Sequence, residues 1–462
     1  MTTSPRSGTS LAADGVFEIG ALGDAYRSGS LAPADVVREV WRRIAASDDD
    51  GVWITLDLDR ALRTAEDLGP EPDPSRPLWG IPFAVKDNID VAGWRTTAAC
   101  PGFAYEPDDT ATSVLKLQAA GAILIGKANL DQFATGLNGT RSPYGIPRSV
   151  TDATMISGGS SSGSAVAVAA GVVAFALGTD TAGSGRVPAA LNGIVGHKPS
   201  RGLVSTAGVV PACRSLDCVS VFAHSVEDAT LVVDVMTGTD PSDPWTRALP
   251  RALGAVPPMR GLRLAIPVAP ELDATHGYDR AWDGVLAELA AAGVELIEVD
   301  LAGFLEAGRM LYEGPWIAER LSGTAEFVAE RPDAVHPVIR HLLERGHAVS
   351  GVEVFRGMDR LRVLERDAHN VLDTVDALLT PTVATTFTVE ELVAHPIDHN
   401  ARLGLYTTFG NLLDLAAIAI PTHTGSVGRP FGVSIVVRAG HDAQMYGVAI
   451  TLERLLASGT MP

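Results

Sequence analysis

Apolar residues recur along the chain in two alternating rhythms, one helical and one extended. Behind Pro33, a residue suited to a first helical turn, Val36, Val37, Val40, Trp41 and Ile44 fall at helical spacing, and residues 52–58 then read as a strand. Residues 70–77 are rich in proline and read as a loop. The apolar run 80–85 predicts a buried strand that delivers Lys86 at its end, and residues 113–120 predict a helix feeding a strand over 122–125. Ser225 with Asp228 makes a capping-box pattern that opens a helix through Met236, and residues 262–266, 294–299 and 431–437 supply later strands. From Phe304 to about Asp373 the pattern is mainly helical, which predicts an insertion or lid over the sheet. Such alternation predicts an α/β layer fold with a mostly parallel or mixed sheet.

Composition narrows the class. Of 462 residues, 46% are hydrophobic, 20% charged and 6% aromatic, the balance of a chain that buries a large core. The net charge of −19 repels phosphate backbones and anionic membrane surfaces, so nucleic acid and membranes are not expected partners. An anionic substrate would then need a local cation working against the global field. Cys100, Cys213 and Cys218 are too few for a disulfide framework, which points to a reducing compartment. Residues 1–16 read as a disordered polar tail without a signal peptide, and residues 17–462 as one domain. The longest apolar run, from Ala165 to Gly178, is about 14 residues, short of the ~20 that span a membrane. The expectation is a soluble, cytoplasmic protein.

The densest chemical signal lies in two Ser/Gly clusters, residues 158–164 and 178–186. Glycines allow close backbone approach, so such loops aim several N–H groups at one point, which serves a phosphate or an oxyanion. Neither cluster carries the Gly-Lys-[Ser/Thr] ending of a phosphate loop. No histidine lies in either cluster to serve as base, whereas Lys86 sits at a strand end, and serine–lysine pairs are a known variant of triad chemistry.

Lys86, Gly158-Gly-Ser-Ser161, Gly178-Thr-Asp180 and Gly183-Ser184, followed by Arg186, Pro188, Gly196 and Lys198-Pro199, resemble the amidase signature family over nearly the whole chain from about residue 17. Residues 133–140, 214–218 and 312–320 are similar to the amidase domain of allophanate hydrolases. The resemblance implies the family's α/β/α fold, a twisted mixed sheet covered by helices on both faces, with no cofactor, a homodimer, and a relay in which Ser184 is the nucleophile, Ser160 the bridging serine behind a cis peptide bond, and neutral Lys86 the base. It implies an oxyanion hole from the N–H groups of Thr181, Ala182, Gly183 and Ser184, with Ser161 in support; Asp180 and Arg186 flank the nucleophile and read as supporting its loop through charge pairing. It implies further that Arg320, Tyr312 and the backbone near Gly136 hold allophanate, a small urea-derived anion, whose amide is cleaved to ammonia and N-carboxycarbamate, which decays to ammonia and carbon dioxide. Arginine suits the carboxylate because its fork is bidentate. Eight residues separate Tyr312 from Arg320, about two helical turns, so on one helix both would point the same way.

Plainer readings compete. Within the same chemistry stand a carboxybiuret-type hydrolase, a general amidase and a transamidase subunit; outside it stands a non-catalytic anion-binding scaffold. Arg320 follows Glu319 and would ordinarily make a surface ion pair, and Tyr312 would be half-buried packing. Cys213 and Cys218 read as small core residues. His395 and His399 have the spacing of a metal pair, but Pro396 breaks the helix that spacing needs, so no metal is expected.

Overall fold

The computed structural model describes residues 15–47, 51–69, 71–422 and 429–456. The tail expected over residues 1–16 therefore lies outside the described residues except for Gly15 and Val16, which are exposed.

Among the described residues, eleven strands form one sheet: β1 (Trp53–Leu56), β2 (Pro82–Lys86), β3 (Ile123–Ala128), β4 (Phe175–Thr179), β5 (Val195–Lys198), β6 (Val219–Ala223), β7 (Arg263–Pro267), β8 (Glu295–Val299), β9 (Ala377–Pro381), β10 (Leu415–Pro421) and β11 (Gly432–Arg438). Their order is β1-β3-β2-β4-β6-β5-β10-β11-β9-β7-β8. β2 runs parallel to both β3 and β4, and β7 parallel to β8 and β9, while the remaining neighbours are antiparallel, so the sheet is mixed.

Alternation along the central strands explains the layers. On β9 and β10, Leu379, Ile418 and Ile420 face the helices Val226–Met236 and Asp442–Leu456, whereas Leu378, Leu415 and Ala417 face Phe304, Leu364 and Phe409. Both faces are thus apolar and covered, as a buried mixed sheet requires. The region expected as a lid contains the helices Ala302–Glu313, Trp316–Ser322, Ala325–Glu330, Pro337–Glu344 and Gly351–Leu372. Its two ends pack under the sheet face, and its middle, through Leu321, Val328, Ile339 and Leu343, packs on Ala98, Cys100 and Phe133.

Three local expectations change. The first strand stops at Leu56 because Asp57 caps the next helix, accepting from the Arg60 N–H at 2.9 Å. Trp41 is 41% exposed, since the apolar stripe of Pro33–Ala46 is satisfied by Val36, Val37 and Val40. Ser225 caps its helix by accepting from Asp228 N–H, but the Asp228 carboxylate accepts from Ile19 N–H at 3.0 Å instead of closing the box, tying the N-terminal segment to this helix.

Candidate active site

β2 and β4 are adjacent and parallel, so their carboxyl ends lie side by side, the usual place for a site in an open α/β sheet. Lys86 ends β2 and Thr179 ends β4. The Lys86 ammonium is fully buried and donates to Ser160 Oγ and to Thr179 Oγ1, each at 2.7 Å. Burial pulls its pKa down from 10.5 to about 7; Asp131, Asp217 and Asp180 oppose the shift and Arg320 adds to it. A large fraction of the lysine is therefore neutral near pH 7 and has a lone pair for the Ser160 proton. Ser160 follows a cis Gly159–Ser160 bond. Ser161 clamps the chain there: its Oγ donates to the Thr179 carbonyl at 3.2 Å and accepts from the Thr179 N–H at 3.3 Å.

The nucleophile loop is wound around Asp180. Its carboxylate accepts from Gly183 N–H at 2.7 Å, from Gly185 N–H at 3.1 Å, and from Arg186 at 2.9 and 3.0 Å, all buried. Burial alone would raise the Asp180 pKa, yet Arg186 and these donors hold it below the usual carboxylate range. Arg186 reaches on to the Thr407 carbonyl at 3.0 Å, Thr407 Oγ1 donates to the Ala182 carbonyl at 2.8 Å, and Asn411 Nδ2 donates to the carbonyls of Asp180 and Thr181 at 2.6 and 3.1 Å. The carbonyls of Asp180, Thr181 and Ala182 are thereby all engaged. Gly183, with φ +133°, is obligatory, because a Cβ there would lie 2.2 Å from Thr407 Oγ1.

Of the four N–H groups expected to form the oxyanion hole, that of Gly183 donates to Asp180, while among the described residues those of Thr181, Ala182 and Ser184 have no protein acceptor. Likewise the Ser184 hydroxyl makes no hydrogen bond among the described residues, and Ser184 is 3% exposed. Apo hydrogen bonds of this kind commonly close only with ligand bound.

Within electrostatic reach of Lys86 and Asp217 stands a cationic wall built on Arg320. Tyr312 and Arg320 lie on two helices, not one, because Gly314 and Pro315 end the helix Ala302–Glu313 and start Trp316–Ser322. They meet nonetheless, the Arg320 guanidinium lying 5.2 Å from the Tyr312 ring centroid. Arg320 is 2% exposed, so it is no surface ion pair; Glu319 instead accepts from Ser215 N–H and Oγ–H, both at 2.7 Å, and from the Cys213 thiol. Arg320 Nη1 donates to Thr135 Oγ1 at 3.0 Å, and its Nε is buried without a protein acceptor, the kind of orphan that an anion would satisfy. Gly136 follows Thr135 in a loop held by Asp131, which accepts from the N–H groups of Asn138, Gly139 and Arg141; a Cβ on Gly136 would come 2.5 Å from that carboxylate. Asp217 joins the wall to the nucleophile loop, accepting from the Thr181 hydroxyl and from Ala212 and Cys213 N–H, and its pKa is raised by burial against the pull of Thr181 and Arg320.

Residues 35–445 match the family described as Amidase. The chain belongs to the amidase family. It is 44% identical over 364 residues to the urea amidolyase of Lachancea kluyveri, covering 78% of this chain and 20% of that protein. It is also 33% identical over 472 residues to a glutamyl-tRNA(Gln) amidotransferase subunit of Symbiobacterium thermophilum, covering 93% of this chain and 95% of that one. The chain thus spans about a fifth of the length of the urea amidolyases it matches. Among solved structures it resembles Kluyveromyces lactis allophanate hydrolase, with TM-score 0.89 at 35% identity over 96% of this chain and 73% of that one. The α/β architecture is accordingly the amidase-signature fold, and the chain is an amidase-type hydrolase.

For this amidase the structure adds residues that the motifs do not single out: Thr179, Asp131, Asp217, Asn411, Thr407, Thr135 and Arg141. Thr179 is within reach of sequence reasoning, since it precedes Asp180 at the end of an apolar run. All three cysteines are buried and free. His395 and His399 stand 5.0 Å apart between ring centroids, the helix Val389–Ala394 ends before Pro396, and His399 stacks on Phe387. Among the described residues there is no cluster of three metal-ligating side chains and no helix long and apolar enough to cross a membrane.

Proposed function

We propose that this amidase hydrolyses the amide C–N bond of allophanate through a Lys86–Ser160–Ser184 relay. Neutral Lys86 takes the Ser160 proton, Ser160 takes that of Ser184, and Ser184 Oγ bonds to the amide carbon. The oxyanion that forms lies against the N–H groups of Thr181, Ala182 and Ser184, donors worth a few kcal/mol each in comparable holes. Lys86 returns its proton through Ser160 to the leaving nitrogen, ammonia departs, and water repeats the path in reverse, releasing N-carboxycarbamate, which decays to ammonia and carbon dioxide. No cofactor is needed for these steps.

The observation that carries the relay is Lys86 buried at 2.7 Å from Ser160 Oγ with a pKa near 7. Supporting the substrate is the buried Arg320, with its orphaned Nε and its stack on Tyr312, in a protein of net charge −19. The names of the similar urea amidolyases and allophanate hydrolase favour the same substrate. A second reading, a transamidase subunit or another small amidase, is favoured by the nearly full-length match to the amidotransferase subunit. Ammonia release from allophanate, biuret, urea and simple amides tests the choice: a preference for allophanate is expected, and a preference for a neutral amide overturns it. The homodimer and the cytoplasmic location belong to this reading too, and sedimentation of the purified protein tests the first.

A further inference from the structure

Thr135 stands between two buried arginines. Its hydroxyl donates to the Phe133 carbonyl at 3.1 Å, which uses the single proton and leaves a lone pair for Arg320 Nη1 at 3.0 Å. Its carbonyl oxygen accepts from Arg141 Nη1 at 3.0 Å, and Arg141 Nη2 donates to the Pro396 carbonyl at 2.6 Å, so the turn bearing Thr135 is fastened from behind. Thr135 is 1% exposed, and Arg141 and Arg320 are 2% exposed.

A guanidinium is planar, so the hydrogen bond at Nη1 and the place over the Tyr312 ring together restrict the heading of the rest of the fork. One of the remaining donors, Nε, is the buried group without an acceptor. We propose that Thr135 is a specificity-determining positioning residue, which turns the Arg320 fork toward the substrate carboxylate. The inference rests on the reading of Arg320 as the carboxylate ligand. A threonine hydroxyl is a neutral acceptor, so it orients the cation without adding a further negative charge beside it.

A double-mutant cycle tests it. Thr135→Val keeps the shape and removes the acceptor, so kcat/KM for allophanate is expected to fall about tenfold, chiefly through KM, and further than for a neutral amide. In an Arg320→Ala background the same substitution is expected to change the ratio between the two substrates no further. Thr135→Ser keeps the oxygen and is expected to preserve the wild-type preference even if the valine variant folds poorly. Equal losses in both backgrounds, equal losses on both substrates, or a folded serine variant without the preference overturns the inference. A wild-type enzyme without any preference, or an Arg320→Ala variant that keeps it, overturns the reading of Arg320 and the inference with it, whereas the preceding outcomes overturn the inference alone.

Discussion

The nucleophile loop and the cationic wall are both buried and hydrogen-bonded, but they are fastened over different spans of chain. Asp180 gathers Gly183, Gly185 and Arg186 from within six residues of itself, so much of the loop's shape is written in one contiguous motif. Arg320 draws its partner from Thr135, 185 residues away, and Glu319 draws its own from Ser215, 104 residues away. The ring of donors around Asp180 is local, although Thr407 and Asn411 brace the loop's outward carbonyls and Arg186 from 221 to 231 residues away. On the proposed reading, a wall assembled from distant segments is where the substrate is chosen.

Substitutions on the two sides should then differ in kind. The largest effect is expected from Ser184→Ala, which removes the attacking oxygen and should lower turnover by ~10⁴-fold or more on every substrate alike. Residual turnover that still prefers allophanate at near-normal rate would place the nucleophile elsewhere. Arg320→Ala should act selectively, lowering kcat/KM for allophanate by about 30–150-fold, as expected for a charge-assisted fork worth ~2–3 kcal/mol, and much less for a neutral amide. Arg320→Lys should restore only part of this, because a point charge does not reproduce the fork. Equal losses on charged and neutral substrates would make the wall structural and erase the contrast.

The smallest effect should come from a site belonging to neither region. Glu453 accepts from Val226 N–H at 2.8 Å near Asp228, and burial, with the neighbouring acids, raises its pKa to about 7 and that of Asp228 to about 6. In the unfolded chain a glutamate ionises near ~4.3, so between there and pH 7 the folded state binds more protons and stability falls as pH rises. Glu453→Gln should therefore raise Tm by roughly 1–2 °C above pH 7 and leave it unchanged near pH 4, with catalysis unaffected. A gain of the same size at pH 4 would show that packing and not ionisation is responsible.

How much of this is legible in sequence follows the same division. The strand that delivers Lys86, the two serine clusters, and the Asp180–Arg186 pairing stand in contiguous motifs and are found where the sequence puts them. The engagement of Gly183 N–H is not legible, because a run of four successive donors does not say which one a neighbouring carboxylate takes. The spacing of Tyr312 and Arg320 suggests one helix, although Gly314-Pro315 between them is itself a helix-ending signal. Asp131, Thr407 and Asn411 lie outside the motifs, and Asp217 is not singled out within residues 214–218, because a buried polar side chain reveals its role only through its partners in the fold. Trp41 shows the converse error, since helical spacing includes a residue at the edge of the stripe whether or not the core has room for it.

The central claim is that a buried lysine, neutral near pH 7, activates Ser184 through Ser160. The rate at which a serine-directed phosphonate labels the enzyme, followed across pH with the modified peptide identified by mass spectrometry, measures that activation without depending on the substrate. The account predicts labelling at Ser184 that rises with pH through an apparent pKa of about 7 and is lost in folded Lys86→Ala. Labelling at another residue, or a Ser184 rate that is the same with and without Lys86, would contradict it.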